Sequence, residues 1–433
     1  MRSSTQPADA TPRSLQRSSL VYVVAAAVTA LIPFAALPLL TRWMGPSEYG
    51  IAGTYLALVN LGAVIAGLSS HGVISVVHYR VGAEHVPAHV GACLKVLGLT
   101  AVPLAGALLL CSEPLYRVSG IPPAWSWTIA LTAAAQFVVG LGVAVWQART
   151  QALRVGTVQV AMAALWATSS LALVGTFGWG WEGRAAGQIL AACMVAALAL
   201  WLLERDGLLR WRSADNAPLQ AALRFGLPLL PHSVAGVAMS SADRLIVSGL
   251  AGTDAAGLYF ASLQIASVLT VGAAAVNLAW VPWLYRRLAA RLPGALDEAV
   301  FATYCAFAVL LGMAALIAVN APWLMTAVAG ARYEAAAASL RWLAPAAALS
   351  GMYYFVAGYL FFAGRTGVLS IITVCCAGLQ VGLIFLLVPR FGIEGAAAAT
   401  LLAMLAYWVA TWLAAQRVVP MPWFGRQLPA GSP

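Results

Sequence analysis

Within the run FGLPLLPHSVAGVAMSSADRLIVSGL, residues 225–250, two opposite charges stand side by side, Asp243 and Arg244. The rest of the run is apolar enough for a membrane span, where a charge is expensive unless it meets a partner or a polar cavity. A guanidinium there could hold a phosphate, because its planar fork donates paired hydrogen bonds and stays charged. A buried carboxylate could carry a coupling proton or sodium ion. The competing explanation is structural: both groups tie helices together near the interface, with Arg244 snorkelling outward. Adjacent helical residues point about 100° apart, so one of the pair is expected to face a groove while the other pairs with a neighbouring span.

Other polar residues could join such a groove. Arg42, next to Trp43, ends the first span and reads either as an interfacial anchor or as a substrate contact. His71 is expected deep in a long second span, and Gln264 and Asn277 lie in the eighth. With Gln136, Gln147 and Gln159 they could line a hydrogen-bonding path, or serve helix-to-helix contacts. Arg80 and Arg286 close the cytoplasmic ends of two spans, as gates for an anionic headgroup or as ordinary topology signals. Pro33 and Pro38 in the first span, and Pro228 and Pro231 in the seventh, remove helix hydrogen bonds and are hinge candidates.

The elements that must position these groups are membrane helices. Of 433 residues, 62% are hydrophobic and 9% charged, far below the quarter or so of a soluble domain. Apolar stretches of about 20 residues follow one another with short charged punctuation. Twelve spans are expected near 20–40, 50–78, 91–111, 125–147, 156–177, 185–203, 225–249, 257–283, 299–319, 342–363, 367–388 and 395–416, giving an all-α integral membrane protein. No connection is long enough for a soluble catalytic domain. The apolar run of the first span continues to Leu40, beyond the length of a signal-peptide core, so that span is expected to stay uncleaved. Most Arg residues fall on one face, whereas the other receives Arg42, Arg117, Arg184, Arg332, Arg341 and Arg390, which places both termini in the cytoplasm. The net charge of +10 is therefore a topology signal and does not point to nucleic acid.

A repeat organises the spans. Gly45-Pro-Ser-Glu-Tyr-Gly50 after the first is matched by Gly252-Thr-Asp-Ala-Ala-Gly257 after the seventh. Arg154-Val-Gly156 answers Arg365-Thr-Gly367, and GWEGRAAGQILAACM from Gly180 answers GIEGAAAATLLAML from Gly392. His78-Tyr79-Arg80 corresponds to Leu284-Tyr285-Arg286. The expected organisation is a tail at 1–19, a six-helix half at 20–203, a cytoplasmic linker at 204–224, a second half at 225–416 and a tail at 417–433. Six spans is an even number, so the repeats are parallel and enclose a central cavity, a plan suited to alternating access.

The segments Pro38–Arg80 and Phe225–Arg287 resemble the openings of the two halves of Wzx-type polysaccharide flippases, within the multidrug/oligosaccharidyl-lipid/polysaccharide exporter superfamily. The resemblance implies a bacterial inner-membrane protein that moves undecaprenyl-diphosphate-linked oligosaccharide from the cytoplasmic to the periplasmic leaflet for O-antigen, capsule or exopolysaccharide synthesis. It also implies polysaccharide polymerase machinery as a partner. A cation-coupled multidrug antiporter of the same superfamily is the nearer alternative, but it would be expected to carry several acids in its spans. A lipid II flippase would show additional spans. A membrane glycan polymerase or acyltransferase would need a large loop or a His/Asp cluster at membrane depth.

The chain carries no hydrolase elbow, zinc-protease pair or phosphate-binding loop, so no enzyme, metal or cofactor is expected. The six cysteines, in or at the ends of spans, lack metal-ligand spacing.

Overall fold

The computed structural model describes residues 12–211, 216–290 and 294–423. The first half is built from α1 (Pro12–Trp43), α2 (Pro46–Ala66), the short α3 (Val73–Arg80), α4 (Val86–Leu110), the short α5 (Ser112–Ser119), α6 (Ser126–Ala148), α7 (Ala152–Gly175) and α8 (Gly180–Arg205). The second half comprises α9 (Ala217–Val237), α10 (Asp243–Ala290), α11 (Ala295–Val319), the single turn α12 (Ala321–Leu324), α13 (Ala337–Phe362) and α14 (Thr366–Val418). Ten helical runs are long and apolar enough to cross a membrane. Two of them cross twice, because the chain turns at Gly252 (φ 88°) inside α10 and at Gly392 (φ 55°) inside α14, conformations open to glycine. The result is a twelve-span, all-helical membrane protein in two parallel six-helix repeats. Gly180, the repeat counterpart of Gly392, has nearly the same φ, 56°.

Three expectations about the elements change. The second span is not one helix over 50–78. It breaks at Leu68 and Ser69, both left-handed (φ 49° and 53°), and passes through a 3-10 turn at Ser70–Gly72 before α3. The break lets α9 pack closely, since a side chain at Gly226 would strike the Leu68 carbonyl. The linker is shorter than 204–224, because α8 runs to Arg205 and α9 starts at Ala217, whose APLQAAL opening has Pro in the first turn followed by strong helix formers. The first helix extends back to Pro12, and residues 1–11 and 424–433 of the two tails lie outside the described residues.

The halves meet on an axis between α2 and the portion of α10 after Gly252. Gly50 and Gly257, repeat counterparts, let the two backbones touch: a Cβ on Gly50 would collide with the Thr253 carbonyl, and one on Gly257 with that of Pro46. Close approach of small residues is how membrane helices gain packing energy without a hydrophobic driving force. Beside this crossing, Ser47 Oγ and Thr253 Oγ1 lie 2.7 Å apart, and Tyr333 donates to the Met44 carbonyl at 3.2 Å. At the opposite end α9 crosses to the first half, with Phe225 against Gly72 and Gly226 against Leu68. The first helix instead packs along α7, Ala25 against Gly156.

Candidate functional site

Below the Gly50–Gly257 crossing the halves part around a cavity of about 760 Å³. Its roof is a hydrogen-bonded bridge through three spans: Tyr49 of α2 donates to Gln264 Oε1 of α10 at 2.5 Å, and Gln264 Nε2 donates to the Pro33 carbonyl of α1 at 2.9 Å. Pro33 lines the cavity inside an unbroken helix, Pro38 follows it in α1, and Pro228 and Pro231 lie within α9.

Asp243 and Arg244 both border this cavity, Asp243 from a position where it pairs with a neighbouring span. Residues Ala238–Ala242 form a π turn immediately before them. Ser240 favours this irregularity by donating its hydroxyl to the Val237 carbonyl at 3.1 Å, in competition with the helix ladder. Arg244 in turn donates from Nη2 to the Ser240 carbonyl at 3.3 Å. Asp243 is 2% exposed. Its Oδ2 accepts from the Tyr259 hydroxyl at 2.9 Å and its Oδ1 from the Arg244 backbone N–H at 2.8 Å, while Tyr259 reaches Thr400 Oγ1 at 3.0 Å. The acid thus joins spans seven, eight and twelve at the cavity wall.

Arg184, whose charge counts in the sequence only towards topology, lies in the second turn of α8, 6% exposed, and lines the cavity. Its guanidinium carbon sits 4.3 Å from the Tyr49 ring centroid and 5.2 Å from that of Phe260. Arg244 approaches the same Phe260 ring at 4.6 Å. Two cations, one from each half, therefore share one aromatic ring. Among the described residues neither enters an ion pair, and Arg184 Nη1 and Arg244 Nε are buried without hydrogen-bond partners. Cation–π contact compensates part of the desolvation of a guanidinium, and unused N–H donors leave capacity for an anion. The signal for Arg184 was present in the repeat, which aligns it with the buried Ala396, a helix-interior position.

Gln264 and Gln159 line the cavity as well, together with Asn60, Gln188, Ser267, Thr270, Ser350 and Tyr354. Three other candidates are not brought to it. Arg42 is exposed in the last turn of α1, next to Gly330 of the segment before α13. His71 sits in the turn after α2, edge-on to Phe137 at 5.7 Å between ring centroids, and not deep in a helix. Asn277 lies lower in α10, its Oδ1 buried and unpartnered. Arg80 and Arg286 are exposed at the ends of α3 and near the end of α10, and Arg286 Nε donates to the Pro282 carbonyl at 3.3 Å.

Comparison with known proteins agrees with this architecture. The lipid II flippase MurJ, in an inward closed conformation, superposes with a TM-score of 0.75 over 92% of this chain and 87% of that one, at 10% identity. An inward-facing multidrug resistance MATE family transporter of the MOP superfamily gives 0.72 over 92% and 97%, at 18% identity. At these identities the likeness is one of fold. In sequence, the Lsg locus putative protein 1 of Haemophilus influenzae is 23% identical over 284 residues, 63% of this chain and 66% of that relative, just under two thirds of its length. A family model described as polysaccharide biosynthesis protein matches residues 15–288, a stretch that holds Arg184, Arg244 and the ring between them. That match covers more than half of the residues, and the chain belongs to the polysaccharide biosynthesis protein family.

Proposed function

We propose that this protein is a flippase that moves an undecaprenyl-diphosphate-linked oligosaccharide from the cytoplasmic to the periplasmic leaflet of a bacterial inner membrane. The observation that carries this reading is the pair Arg184 and Arg244, which face one cavity from opposite halves, form no ion pair among the described residues and each keep one buried donor nitrogen without a partner. A diphosphate presents acceptor oxygens to both guanidinium forks and would satisfy donors that are otherwise buried unused. Membership of a polysaccharide biosynthesis family supports the same substrate class.

In this reading α1–α8 and α9–α14 are the moving halves, both termini are cytoplasmic, and the Tyr49–Gln264–Pro33 bridge closes the periplasmic side. The prolines of α1 and α9 are the hinges, and Arg80 and Arg286 meet headgroups at the cytoplasmic entrance. Asp243 is the coupling candidate for a proton or sodium ion. A polysaccharide polymerase consumes the product. The multidrug antiporter alternative has the fold in its favour, but fold does not carry substrate.

The test is the leaflet distribution of lipid-linked oligosaccharide in inner-membrane vesicles from cells with and without the protein. Accumulation on the cytoplasmic leaflet in its absence is the expected result. An unchanged distribution overturns the reading and directs attention to cation efflux.

A further inference from the structure

We infer that the oligosaccharide carried in this cavity is electrically neutral, free of uronic acids and of phosphate or sulfate substituents. The inference rests on the flippase reading and concerns what the remainder of the wall can bind once the diphosphate is held.

Among the described residues, the charged side chains of the cavity wall are Arg184, Arg244 and Asp243. Both arginines flank Phe260 near the roof: Arg184 lies about 6 Å along its helix from Gly180, and Arg244 about 12 Å from Gly252, at 1.5 Å per residue. A diphosphate seated between them uses both cations. The polar lining that remains for the sugars includes Gln188, Asn60, Gln159, Ser267, Ser350 and Tyr354, set among apolar residues. Each amide and hydroxyl can both donate and accept, as can each sugar hydroxyl, so this surface matches a neutral glycan donor for acceptor. Trp166 adds an aromatic face.

A carboxylate on the glycan would find a different situation. It would leave water for a wall that is neutral on the sugar side. It would also share the space with the diphosphate and with Asp243, both of its own sign. An unpaired charge at membrane depth costs several kcal/mol, and like charges raise that cost. Exclusion by an unmatched charge is a general route to specificity.

The test uses the full chain in proteoliposomes with two undecaprenyl-diphosphate-linked oligosaccharides, identical except that one hydroxymethyl group is a carboxylate in the second. The neutral compound is expected to cross at least about tenfold faster, since every 1.4 kcal/mol is a factor of ten. Gln188 lies one helical turn beyond Arg184 on the same face of α8. Gln188→Arg is expected to raise the acidic-to-neutral rate ratio, a quantity unaffected by the amount of folded protein. Equal rates for the two compounds in the native chain, or an unchanged ratio in Gln188→Arg, overturn the inference. Failure of both compounds to cross, with the protein intact by thermal unfolding, removes the flippase reading, and the inference falls with it.

Discussion

The side-chain oxygens of Ser47 and Thr253 lie 2.7 Å apart, beside the point where the repeat counterparts Gly50 and Gly257 cross. Gly50 and Gly257, equivalent residues whose backbones touch, lie on the axis relating the halves. This end of the cavity is therefore closed where a segment of each half meets its own counterpart.

This contact can be locked. In a Ser47→Cys/Thr253→Cys double variant the sulfurs are expected to form a disulfide under mild oxidation, given oxygens already in hydrogen-bond contact. Transport should stop on oxidation and return on reduction, while either single variant remains active. Transport that continues with the disulfide formed would show that the two helices need not separate at this level.

Arg184→Ala and Arg244→Ala should each lower translocation by about tenfold to a hundredfold, since a hydrogen bond to a charged group contributes roughly 1.5–3 kcal/mol. Lysine at either position should recover only part of the loss, because it offers charge without the planar fork. Thermal unfolding read alongside separates lost binding from lost folding. Full activity in both alanine variants would remove the diphosphate from this site.

Asp243→Asn keeps an oxygen that can accept from the Tyr259 hydroxyl and removes the charge. The variant should stay folded and lose the dependence of its rate on the proton or sodium gradient. Retained dependence would assign coupling to another residue. Tyr259→Phe, by contrast, strips a buried carboxylate of a donor and should destabilise the protein by about 1–3 kcal/mol.

Gly257→Ala places a methyl group against the Pro46 carbonyl and should cost about 1–3 kcal/mol with loss of transport, as overpacking does. Gly378→Ala, with open space around it, is the matched control and should be neutral. Equal behaviour of the two would show that the crossing is looser than its geometry.

Much of this organisation was legible from residue order, for identifiable reasons. Spans register as apolar length, and the repeat registers because turn glycines such as Gly180 and Gly392 need the same backbone conformation. Asp243 and Arg244 stood out because charge inside a span is rare. Gln264 was visible as a polar residue, but its bridge from Tyr49 to Pro33 depends on the approach of three helices. Arg184 was hidden by its nearness to a turn, where Arg is ordinarily a topology signal. The break after α2 was hidden because Leu68 and Ser69 carry no preference for left-handed backbone; packing of α9 against that turn holds them there. The π turn before Asp243 was hidden because no residue in AMSSA announces it.

That π turn also bears on how the seventh span can move. A π turn holds one residue more than an α turn of the same length. Transferring that surplus residue to the next turn would rotate the intervening residues by about 100° without breaking the column as a whole. Asp243 and Arg244 stand at its edge. Their facing can thus be exchanged by a twist confined to one turn, a smaller displacement than tilting an entire bundle.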